Sequence, residues 1–409
     1  MSDMWNLLLD RFLHRFVRHG SLQVTLPDGS RRRYGDGAPE VAITLHDAAV
    51  ARRLLVNPSL AVGEAYMDGT LSIEGDDLHG LLALGLRNLD AGPAGALQRG
   101  ANALRNAGRW LQQFNPAGRA RRNVAHHYDL SGALYDLFLD DDRQYSCAYF
   151  AHPGMSLEEA QAAKKAHIAA KLRIEPGMRV LDIGCGWGGM ALSLARDHGA
   201  EVLGITLSEE QLKTARARAQ AAGLAGRARF EMLDYRAVPG QFDRIVSVGM
   251  FEHVGAPHYT RYFRVLRERL SGDGVALLHT IGRIRPPGST NPWMAKYIFP
   301  GGYIPALSEV SAAIERARLW PCDIEIWRLH YANTLRHWHE RFMANIDRAE
   351  RLYDARFCRM WRFYLVASEQ AFRHGAQVVF QIQLARRRDT LPLTRDYLYA
   401  PDAPRAAAQ

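Results

Sequence analysis

Short apolar runs alternate with stretches of helical spacing in the middle of the chain. The runs cover residues 179–183, 201–205, 228–232, 242–248 and 275–281. Amphipathic stretches such as residues 208–222 and 258–270 lie between them. Strands that alternate with helices in this way are typical of a sheet with right-handed crossovers. The pattern therefore predicts an α/β fold with a doubly wound sheet.

The first hundred residues follow a different pattern. An opening helix is followed by a hairpin over residues 21–35, which turns at Pro27-Asp28-Gly29, and by helical spacing over residues 46–67. Residues 91–123 are rich in Gly, Ala, Asn and Arg, as a connector would be. The predicted organisation is a smaller α+β amino-terminal domain at 1–100, a linker at 101–125, a catalytic domain at 126–390 and a tail at 391–409.

A long insertion follows the fifth apolar run. It contains five prolines: Pro286, Pro287, Pro292, Pro300 and Pro305. Two helices are predicted after it, near residues 334–349 and 353–373, and a final strand over residues 377–384. We therefore expect the catalytic domain to end with a strand.

The composition is that of an ordinary globular protein, with 47% hydrophobic and 23% charged residues in a chain of 409. Crossing a bilayer needs roughly 20 consecutive apolar residues, and no segment approaches that length. The first 20 residues lack the pattern of a secretory signal, so we expect a cytoplasmic protein. The four cysteines lie far apart, without the spacing of a disulfide framework or a zinc site, which predicts reduced thiols and no metal site.

The strongest local motif is VLDIGCGWGG at residues 180–189, in which an apolar strand runs into glycines that open a helix. Gly184 and Gly186 let the backbone turn sharply and approach a ligand, because no Cβ stands in the way. With Cys185 between them, they are predicted to lie against a cofactor. Together with Gly189 they also satisfy the G-x-G-x-x-G pattern of a dinucleotide site, a weak signal by itself. A tight turn without any ligand is the other interpretation.

Two features favour S-adenosylmethionine over a dinucleotide. Asp182 precedes the glycines, where a carboxylate can act on the cationic amino-sulfonium end of that cofactor. A nicotinamide site would have an acid about 20 residues further on, at the end of the second strand. That strand ends without one, at residues 204–206. Four residues after the second and third strands are predicted to bind the nucleoside: Thr206 and Gln211 at the ribose, and Asp234 and Tyr235 at the adenine.

Four further segments carry chemical groups that are unusual for loops. They are YSCAYF at 145–150, GMFEHVG at 249–255, HTIG at 279–282 and FPGGYIP at 299–305. Glu252 follows the fourth strand and His279 lies in the fifth, so both are expected at the crevice where the strands' carboxyl ends meet. A carboxylate and an imidazole that converge there can orient a proton acceptor.

These motifs together resemble the cyclopropane-fatty-acyl-phospholipid synthases, which are relatives of the mycolic acid cyclopropane synthases. The resemblance covers residues 126–386, and the segment GEAYMDG at 63–69 is similar to the extra domain of the bacterial phospholipid enzymes. Several separated motifs agree in order and spacing, so the signal is specific. The resemblance implies a class I methyltransferase with a Rossmann-like doubly wound sheet, which acts as a homodimer on an unsaturated phospholipid.

The resemblance also implies a reaction and a set of ligands. The family adds the methyl carbon of S-adenosylmethionine across a cis double bond and uses bound bicarbonate as the base. Carried over by motif, the residues that would hold bicarbonate are Cys147 and Ile281 through their backbone, and Glu252, His279 and Tyr331. Those that would touch the cofactor are Tyr145 and Ser146.

The proposed chemistry suits these residue types. Methyl transfer to an unactivated alkene leaves a carbocation, which must be stabilised and kept from water, and aromatic faces do both. The candidate lining consists of Tyr145, Tyr149, Phe150, Phe299, Tyr303 and Tyr331. A base must then remove a proton from the newly attached methyl group before the ring closes. Glu252 can hold an anionic base only if at least one proton is shared between them.

The opening helix is a candidate for membrane contact. The net charge of +9 fits nucleic acid and anionic lipid equally well, so charge alone does not decide between them. The apolar residues near one face of this helix are Trp5, Leu8, Leu9, Phe12 and Phe16, and the arginines beside them are Arg11, Arg15 and Arg18. This face would hold the enzyme peripherally on the anionic inner face of the membrane, or else it packs on its own domain.

Three other functions stay open from the sequence. A related enzyme could methylate the same alkene and end in a methyl or methylene branch, since both reactions begin with the same carbocation. A nucleic-acid methyltransferase would fit the basic charge, but the chain has no Asn/Asp-Pro-Pro-Tyr/Phe motif, so we expect no nucleic-acid partner. A non-catalytic lipid-binding protein would have little reason to carry the glycine loop together with Glu252, His279 and Tyr331.

Overall fold

The structure is a computed structural model that describes residues 2–91, 113 and 132–399. Residues 400–409 of the predicted tail, and the predicted linker at 101–125 apart from residue 113, lie outside the described residues. Among the described helices, none is long and apolar enough to cross a bilayer.

Residues 2–91 form alternating helices and short strands. In chain order they are α1 (Ser2–Phe16), β1 (Gly20–Thr25), β2 (Arg31–Asp36), β3 (Glu40–Leu45), α2 (Ala48–Val56), α3 (Pro58–Met67), β4 (Leu71–Ile73) and α4 (Leu78–Ala91). The opening helix and the hairpin are confirmed. The predicted helical stretch at 46–67 is two helices, because Pro58 occupies the first turn of α3 and begins a new helix there.

The elements from residue 132 onward alternate in the predicted way. In chain order they are α5 (Gly132–Tyr135), α6 (Leu157–Leu172), β5 (Arg179–Ile183), α7 (Gly189–His198), β6 (Glu201–Thr206), α8 (Glu209–Ala221), β7 (Ala228–Met232), β8 (Phe242–Val248), α9 (Tyr259–Arg269), β9 (Leu270–Arg283), α10 (Pro292–Tyr297), α11 (Leu307–Ala317), β10 (Trp320–Trp327), α12 (His330–Ala344), α13 (Ile346–Leu352), α14 (Ala355–Arg373) and β11 (Gln377–Ala385). The five predicted parallel strands and the final strand are confirmed. The predicted insertion also contains α11 and β10, which its pattern of prolines does not reveal.

The described chain divides into two units. The amino-terminal unit comprises residues 2–91, 288–300 and 332–376, and the large-sheet unit comprises residues 113, 132–287, 301–331 and 377–399. This division differs from the prediction of one continuous catalytic domain at 126–390. Two segments of that range belong to the amino-terminal unit, because α14 packs on α3 and α4, and α10 packs on α3.

The amino-terminal unit contains a four-stranded sheet in the order β2-β1-β3-β4. Strand β1 pairs antiparallel with β2 and parallel with β3. The motif at residues 63–69 contacts the two later segments of this unit, residues 288–300 and 332–376. A Cβ on Gly63 would lie 2.4 Å from Nε1 of Trp293, whose N–H donates to Sδ of Met67 at 3.2 Å. Asp68 accepts a hydrogen bond from Arg356 at 2.9 Å. This motif therefore has a packing role within its own unit.

Helix α1 packs on the core of the same unit. Leu9 is 2% exposed, and Trp5, Phe12 and Phe16 are partly buried against the core. The face expected to dock on a membrane is therefore mainly a packing face, because its apolar side chains cover the small sheet. The exposed apolar residues of α1 are Met4, Leu7 and Leu8.

The large-sheet unit contains a seven-stranded sheet in the order β10-β11-β9-β8-β5-β6-β7. Strands β5 to β9 run parallel to one another, and β11 runs antiparallel to both of its neighbours, β9 and β10. Buried apolar residues form a separate cluster on each face, which explains the continuous apolar runs of the central strands. The doubly wound α/β fold is confirmed. From β5 the sheet extends to β6 on one side and to β8 on the other, which creates a ligand-binding crevice at the strands' carboxyl ends.

Candidate active site

The glycine loop joins β5 to α7. Gly184 and Gly186 have φ values of +79° and +55°, which favour glycine. A Cβ on Gly184 would lie 2.8 Å from Cβ of Met250, whereas a Cβ on Gly186 would meet nothing within 4 Å. The loop therefore borders open space at Gly186, where a ligand can approach the backbone.

Hydrogen bonds within this loop argue against a dinucleotide. The backbone N–H groups of Gly184 and Cys185 both donate to the carbonyl oxygen of Ile205 on β6, at 2.9 and 3.0 Å. Sites that hold a diphosphate direct such amides, and the N-terminus of the following helix, at the phosphate oxygens. Here two of the loop amides are already used inside the sheet.

All ten residues predicted at the cofactor line one pocket of the large-sheet unit. They are Tyr145, Ser146, Asp182, Gly184, Cys185, Gly186, Thr206, Gln211, Asp234 and Tyr235. They come from the ends of β5, β6 and β7 and the loops that follow them, from the first turn of α8 and from the segment that precedes α6. The wall also contains residues for which no cofactor contact was predicted, among them Gln144, Trp187, Arg236, Met250 and His253.

Asp182 is the buried acid of this pocket. Its side chain is almost fully buried, and its Oδ2 has no hydrogen-bond partner in the described part of the chain. Burial raises the pKa of Asp182 to about 7, and the positive charge of Lys164 opposes that rise. A buried carboxylate oxygen without a partner is unfavourable, so a cationic ligand group beside it would be stabilised. The pocket therefore fits the amino-sulfonium end of S-adenosylmethionine.

The predicted nucleoside contacts are already linked to other side chains. The Thr206 hydroxyl donates to Oε1 of Gln211 at 2.9 Å. The carboxylate of Asp234 accepts two hydrogen bonds from the guanidinium of Arg236, at 2.8 and 2.5 Å. Arg236 therefore fixes the orientation of Asp234 at the pocket wall.

Glu252 lies in the short 3₁₀ turn Phe251–His253 that follows β8. Its Oε1 accepts a hydrogen bond from the backbone N–H of Ile281 at 2.7 Å, while its buried Oε2 has no partner among the described residues. Burial raises the pKa of Glu252 to about 7, and the hydrogen bond from Ile281 limits the rise. This carboxyl group therefore gains and loses a proton near neutral pH.

His279 lies on β9, directly opposite Gln381 of β11. The side-chain amide of Gln381 donates to Nδ1 of His279 at 3.1 Å, which places the proton of the neutral imidazole on Nε2. Burial lowers the pKa of His279 well below its usual value, so the ring is neutral at pH 7. The ring of Trp327 packs edge-on against it at 5.2 Å. His279 can therefore donate a hydrogen bond without carrying charge.

The other predicted ligands of bicarbonate lie in buried surroundings. Cys147 is fully buried and its thiol donates to the carbonyl of Ala148 at 3.4 Å. Tyr331 is 8% exposed and follows His330 at the start of α12. The hydrogen bond between Ile281 and Glu252 joins two of the five predicted residues directly. The backbone N–H of Ile281 is thus already hydrogen-bonded to the carboxylate of Glu252.

The predicted aromatic lining is only partly assembled around these residues. Tyr149 stacks on the rings of His167 and His330, with centroids 4.7 and 5.0 Å apart. Tyr303 is a core residue instead, because its ring is 1% exposed and its hydroxyl donates to a glutamate of α11 at 2.7 Å. Phe299 belongs to the amino-terminal unit. Of the six predicted aromatic residues, only Tyr145 lines the cofactor pocket described above.

Two buried polar residues support the site without having been predicted. Lys164 lies on the buried side of α6, and Gln381 lies within the buried strand β11. A polar side chain at a core position was the signal that could have revealed them, since such groups are buried only with partners. As for metals, the described residues contain no group of three or more His, Cys, Asp or Glu side chains placed to hold an ion.

Two family models match the chain. The model described as mycolic acid cyclopropane synthetase matches residues 116–382. A domain of unknown function, DUF7884, matches residues 8–91. The first match covers more than half of the chain, including all ten of the pocket residues predicted at the cofactor.

Similar proteins extend this finding. A probable fatty acid methyltransferase of Pseudomonas putida is 37% identical over 402 residues, which are 93% of this chain and 97% of that protein. The cyclopropane-fatty-acyl-phospholipid synthase of Escherichia coli (strain K12) is 38% identical over 353 residues, 86% of this chain and 89% of that protein. The crystal structure of the mycolic acid cyclopropane synthase CmaA1 complexed with SAH and CTAB is 32% identical, with a TM-score of 0.62 over 66% of this chain and 99% of that chain.

Proposed function

Since this chain belongs to the mycolic acid cyclopropane synthetase family, we propose that it converts the cis double bond of an unsaturated phospholipid acyl chain into a cyclopropane ring. It is an S-adenosylmethionine-dependent C-methyltransferase of lipids. What we propose beyond this activity is the substrate class, the closure of the ring and the identity of the base.

The observation that carries the proposal is the buried carboxyl of Glu252. Its Oε2 has no partner among the described residues, and burial raises its pKa to about 7. Ring closure needs removal of a proton from the newly attached methyl group, in a place from which water is excluded. A carboxyl group that is half protonated at neutral pH can share a proton with a small anionic base and so hold it without repulsion.

The residues of the pocket suit the cofactor, which supplies an electrophilic methyl group when bound. Asp182 would face its cationic end, and Thr206 and Gln211 would bind the ribose. Asp234 and Tyr235 would lie at the adenine. Tyr145, Ser146 and the glycine loop, with Cys185 between Gly184 and Gly186, would complete the wall. This assignment is supported by the convergence of all ten residues on one pocket.

Bicarbonate fits the second group of residues, and when bound it supplies the base. Glu252 would share a proton with it, His279 would donate from Nε2, Tyr331 would contribute its hydroxyl, and Cys147 and Ile281 would contribute their backbone. The N–H of Ile281 donates to Glu252 in the structure, so the carboxyl group and the anion would compete for that donor. The neutral state of His279 is suited to this task, because a charged imidazolium would be costly in a fully buried position.

A second candidate function shares the same site. It is methylation of the double bond without ring closure, and it is favoured by the 37% identity to a probable fatty acid methyltransferase over 93% of this chain. The two reactions part after the carbocation has formed: direct loss of a proton from the new methyl group closes the ring, whereas loss of that proton after a hydride shift leaves a methylene branch, which a separate reductase would have to saturate to give a methyl branch. Both routes end in the loss of a proton, so a base held by Glu252 would serve either one, and only the product decides between them.

Mass spectrometry of lipids separates these outcomes. The protein is incubated with S-adenosylmethionine and vesicles of phosphatidylglycerol that carries one cis double bond. A phospholipid that is heavier by one CH₂ and resists hydrogenation supports ring formation, whereas a product that takes up hydrogen identifies the methylene branch. Lipid of unchanged mass, with cofactor bound and bicarbonate present, would overturn the proposal. Light scattering of the same preparation checks the homodimer that the family resemblance supports.

Peripheral binding to the anionic inner face of the membrane is the second part of the proposal, and it is supported by the exposed residues of α1. Met4, Leu7 and Leu8 are exposed apolar residues, and Arg11 and Arg15 on the same helix are exposed. Apolar insertion and attraction to anionic headgroups act together in such helices, with about 1 kcal/mol per basic residue near the surface.

Vesicle co-sedimentation tests this helix. Leu7→Ser with Leu8→Ser should lose binding at any salt concentration, while Arg11→Glu with Arg15→Glu should lose it mainly at low salt, because screening acts over about 8 Å at physiological ionic strength. Val56→Ser, at an even more exposed apolar residue of the same unit, is the control. Binding by both α1 variants that equals the control would show that α1 does not contact the membrane.

A further inference from the structure

A buried lysine stands behind the cofactor pocket. Lys164 of α6 is 0% exposed, and its ammonium group donates to Oε1 of Gln144 at 2.6 Å and to Oγ of Ser146 at 2.8 Å. Both acceptors line the pocket. A fully buried cation therefore fixes two side chains of the pocket wall, although it does not itself line the pocket.

The same segment of the wall is held a second time by a neutral residue. The side-chain amide of Gln161, one turn before Lys164 on α6, donates to the backbone carbonyls of Gln144 and Ser146 at 3.2 and 3.0 Å. Gln144 also packs closely on the start of α7, where a Cβ on Gly189 would lie 2.2 Å from its Nε2. Lys164 and Gln161 thus make matched contacts with one segment, and they differ in charge.

The charge of Lys164 has no direct counter-ion. Within the described part of the chain, no carboxylate oxygen lies within 4.0 Å of Nζ, whereas the neighbouring Lys165 pairs with Asp142 at 2.5 Å. The charged and titratable groups that act on Lys164 or that it acts on at longer range are Asp140, Asp142, Lys165, Cys147, Asp182 and His279. Burial lowers the pKa of Lys164 to about 8, and Asp140 and Asp142 oppose that change. The ammonium form is therefore still the main one at pH 7.

Asp182 depends on this charge. Burial raises its pKa to about 7, and Lys164 is the charged group that lowers it. If the lysine charge were removed, the pKa of Asp182 would rise further, and a larger share of this acid would be neutral at pH 7. The pocket would then hold less negative charge beside the amino-acid end of the cofactor.

We propose that Lys164 is a positioning residue of the cofactor site, which orders Gln144 and Ser146 and keeps Asp182 ionised so that the pocket recognises the ammonium group at the amino-acid end of the ligand. The proposal rests on the placement of S-adenosylmethionine in this pocket. A residue that does not line the pocket, Lys164, would thus control the charge of a residue that does, Asp182. The nucleoside half of the ligand is recognised independently of Lys164, because its predicted contacts follow β6 and β7.

The test compares two ligands by calorimetry at pH 6, 7 and 8. S-adenosylhomocysteine carries the amino-acid end, and 5′-methylthioadenosine lacks it. In the wild-type protein, affinity for the first should fall relative to the second as the pH drops through about 7, because Asp182 becomes protonated. In Lys164→Met this fall should move to higher pH, with a loss of roughly five-fold or more for S-adenosylhomocysteine at pH 7 if the pKa of Asp182 rises by one unit. Affinity for 5′-methylthioadenosine should stay unchanged.

Gln161→Leu is the matched control, since it removes two hydrogen bonds to the same segment and no charge. It should keep the wild-type pH midpoint. The proposal is overturned if Lys164→Met and Gln161→Leu have the same midpoint, or if both ligands weaken equally in Lys164→Met. Should Lys164→Met fail to fold, the wild-type profile still decides: a ratio of affinities that does not change between pH 6 and pH 8 refutes the role of Asp182. If Gly186→Val binds S-adenosylhomocysteine as the wild type does, the pocket assignment fails, which is a separate result.

Discussion

Replacing Glu252 by glutamine should make the protein more stable and less active. The side chain of Glu252 is buried, with one oxygen bonded to the N–H of Ile281 and the other without a partner among the described residues. Glutamine has nearly the same shape and can keep the first hydrogen bond through its carbonyl oxygen. It cannot be ionised, so it removes a buried negative charge.

The magnitude follows from the pKa of Glu252, which burial raises from 4.5 to about 7. Below pH 4.5 the carboxyl group is protonated in both the folded and the unfolded state, so the raised pKa has no unfavourable effect there. Between pH 4.5 and about 7 the unfolded state releases this proton while the folded state keeps it, so the free energy of unfolding falls across that range and levels off above pH 7. A shift of that size lowers the free energy of unfolding by about 3 kcal/mol at pH 8.5 and by about 1 kcal/mol at pH 5.5. Glu252→Gln should recover these amounts, a difference of about 2 kcal/mol between the two pH values.

Urea unfolding at pH 5.5 and pH 8.5, in buffers free of bicarbonate, measures this difference. Glu325→Gln is the control, because its effect on the free energy of unfolding should have the opposite sign. Burial would raise the pKa of Glu325, but hydrogen bonds from His167 and Lys171 lower it to about 2, so its carboxylate stabilises the fold throughout this pH range. Glu325→Gln should therefore destabilise at both pH values.

Activity gives the second readout for Glu252→Gln. Cyclopropane formation should fall by at least a hundred-fold while S-adenosylhomocysteine still binds, because the carboxyl group acts on the base. A gain in stability with a loss of function is expected where a site holds a strained or buried charge. Equal changes in unfolding free energy at the two pH values would refute the view that this carboxyl group is buried without a counter-charge.

Two further predictions concern the pocket and the imidazole. Gly186→Val should abolish binding of S-adenosylhomocysteine, because the new side chain would enter the open space beside the loop; Gly154→Val, at another glycine of positive φ with nothing within 4 Å, carries the same backbone strain and should bind normally in calorimetry. Gln381→Leu should lower turnover roughly ten- to a hundred-fold with unchanged cofactor affinity, because it removes the hydrogen bond that sets the tautomer of His279. A turnover equal to that of the wild type would show that this hydrogen bond does not orient the imidazole.

The strands of the large sheet could be predicted because their environment is uniform. Strands β5, β6 and β8 are covered on both faces by helices, so their residues form continuous apolar runs that end at polar or glycine-containing loops. The edge strand β10 was not predicted. Its residues Trp320 and Ile326 are exposed, and its burial does not alternate in a simple way, so no local pattern marks it.

The extent of the units could not be predicted for a different reason. Residues 288–300 and 332–376 lie within the range of the family motifs, yet they pack with the amino-terminal unit. The contact of Trp293 with Gly63 and Met67 joins residues that are more than 200 positions apart. Local periodicity shows that a helix has an apolar face but does not show which partner covers it.

The site residues also differ in whether the sequence could predict them. Asp182 lies near the end of β5, Glu252 follows β8, and His279 pairs with Val248 at the end of β8, so topology brings all three to the crevice. Lys164 and Gln381 lie inside regular elements, where a charged or amide side chain is ordinarily interpreted as facing solvent. On α6, however, Lys164 lies four residues after Ala160 and four before Ile168, both fully buried, so it shares their face. A lysine in such a stripe is buried only if something in the fold uses its charge. In this chain the charge of Lys164 acts at the cofactor pocket. A lysine at a core position of α6 is therefore the sequence feature that points to this residue, and the apolar residues around it do not.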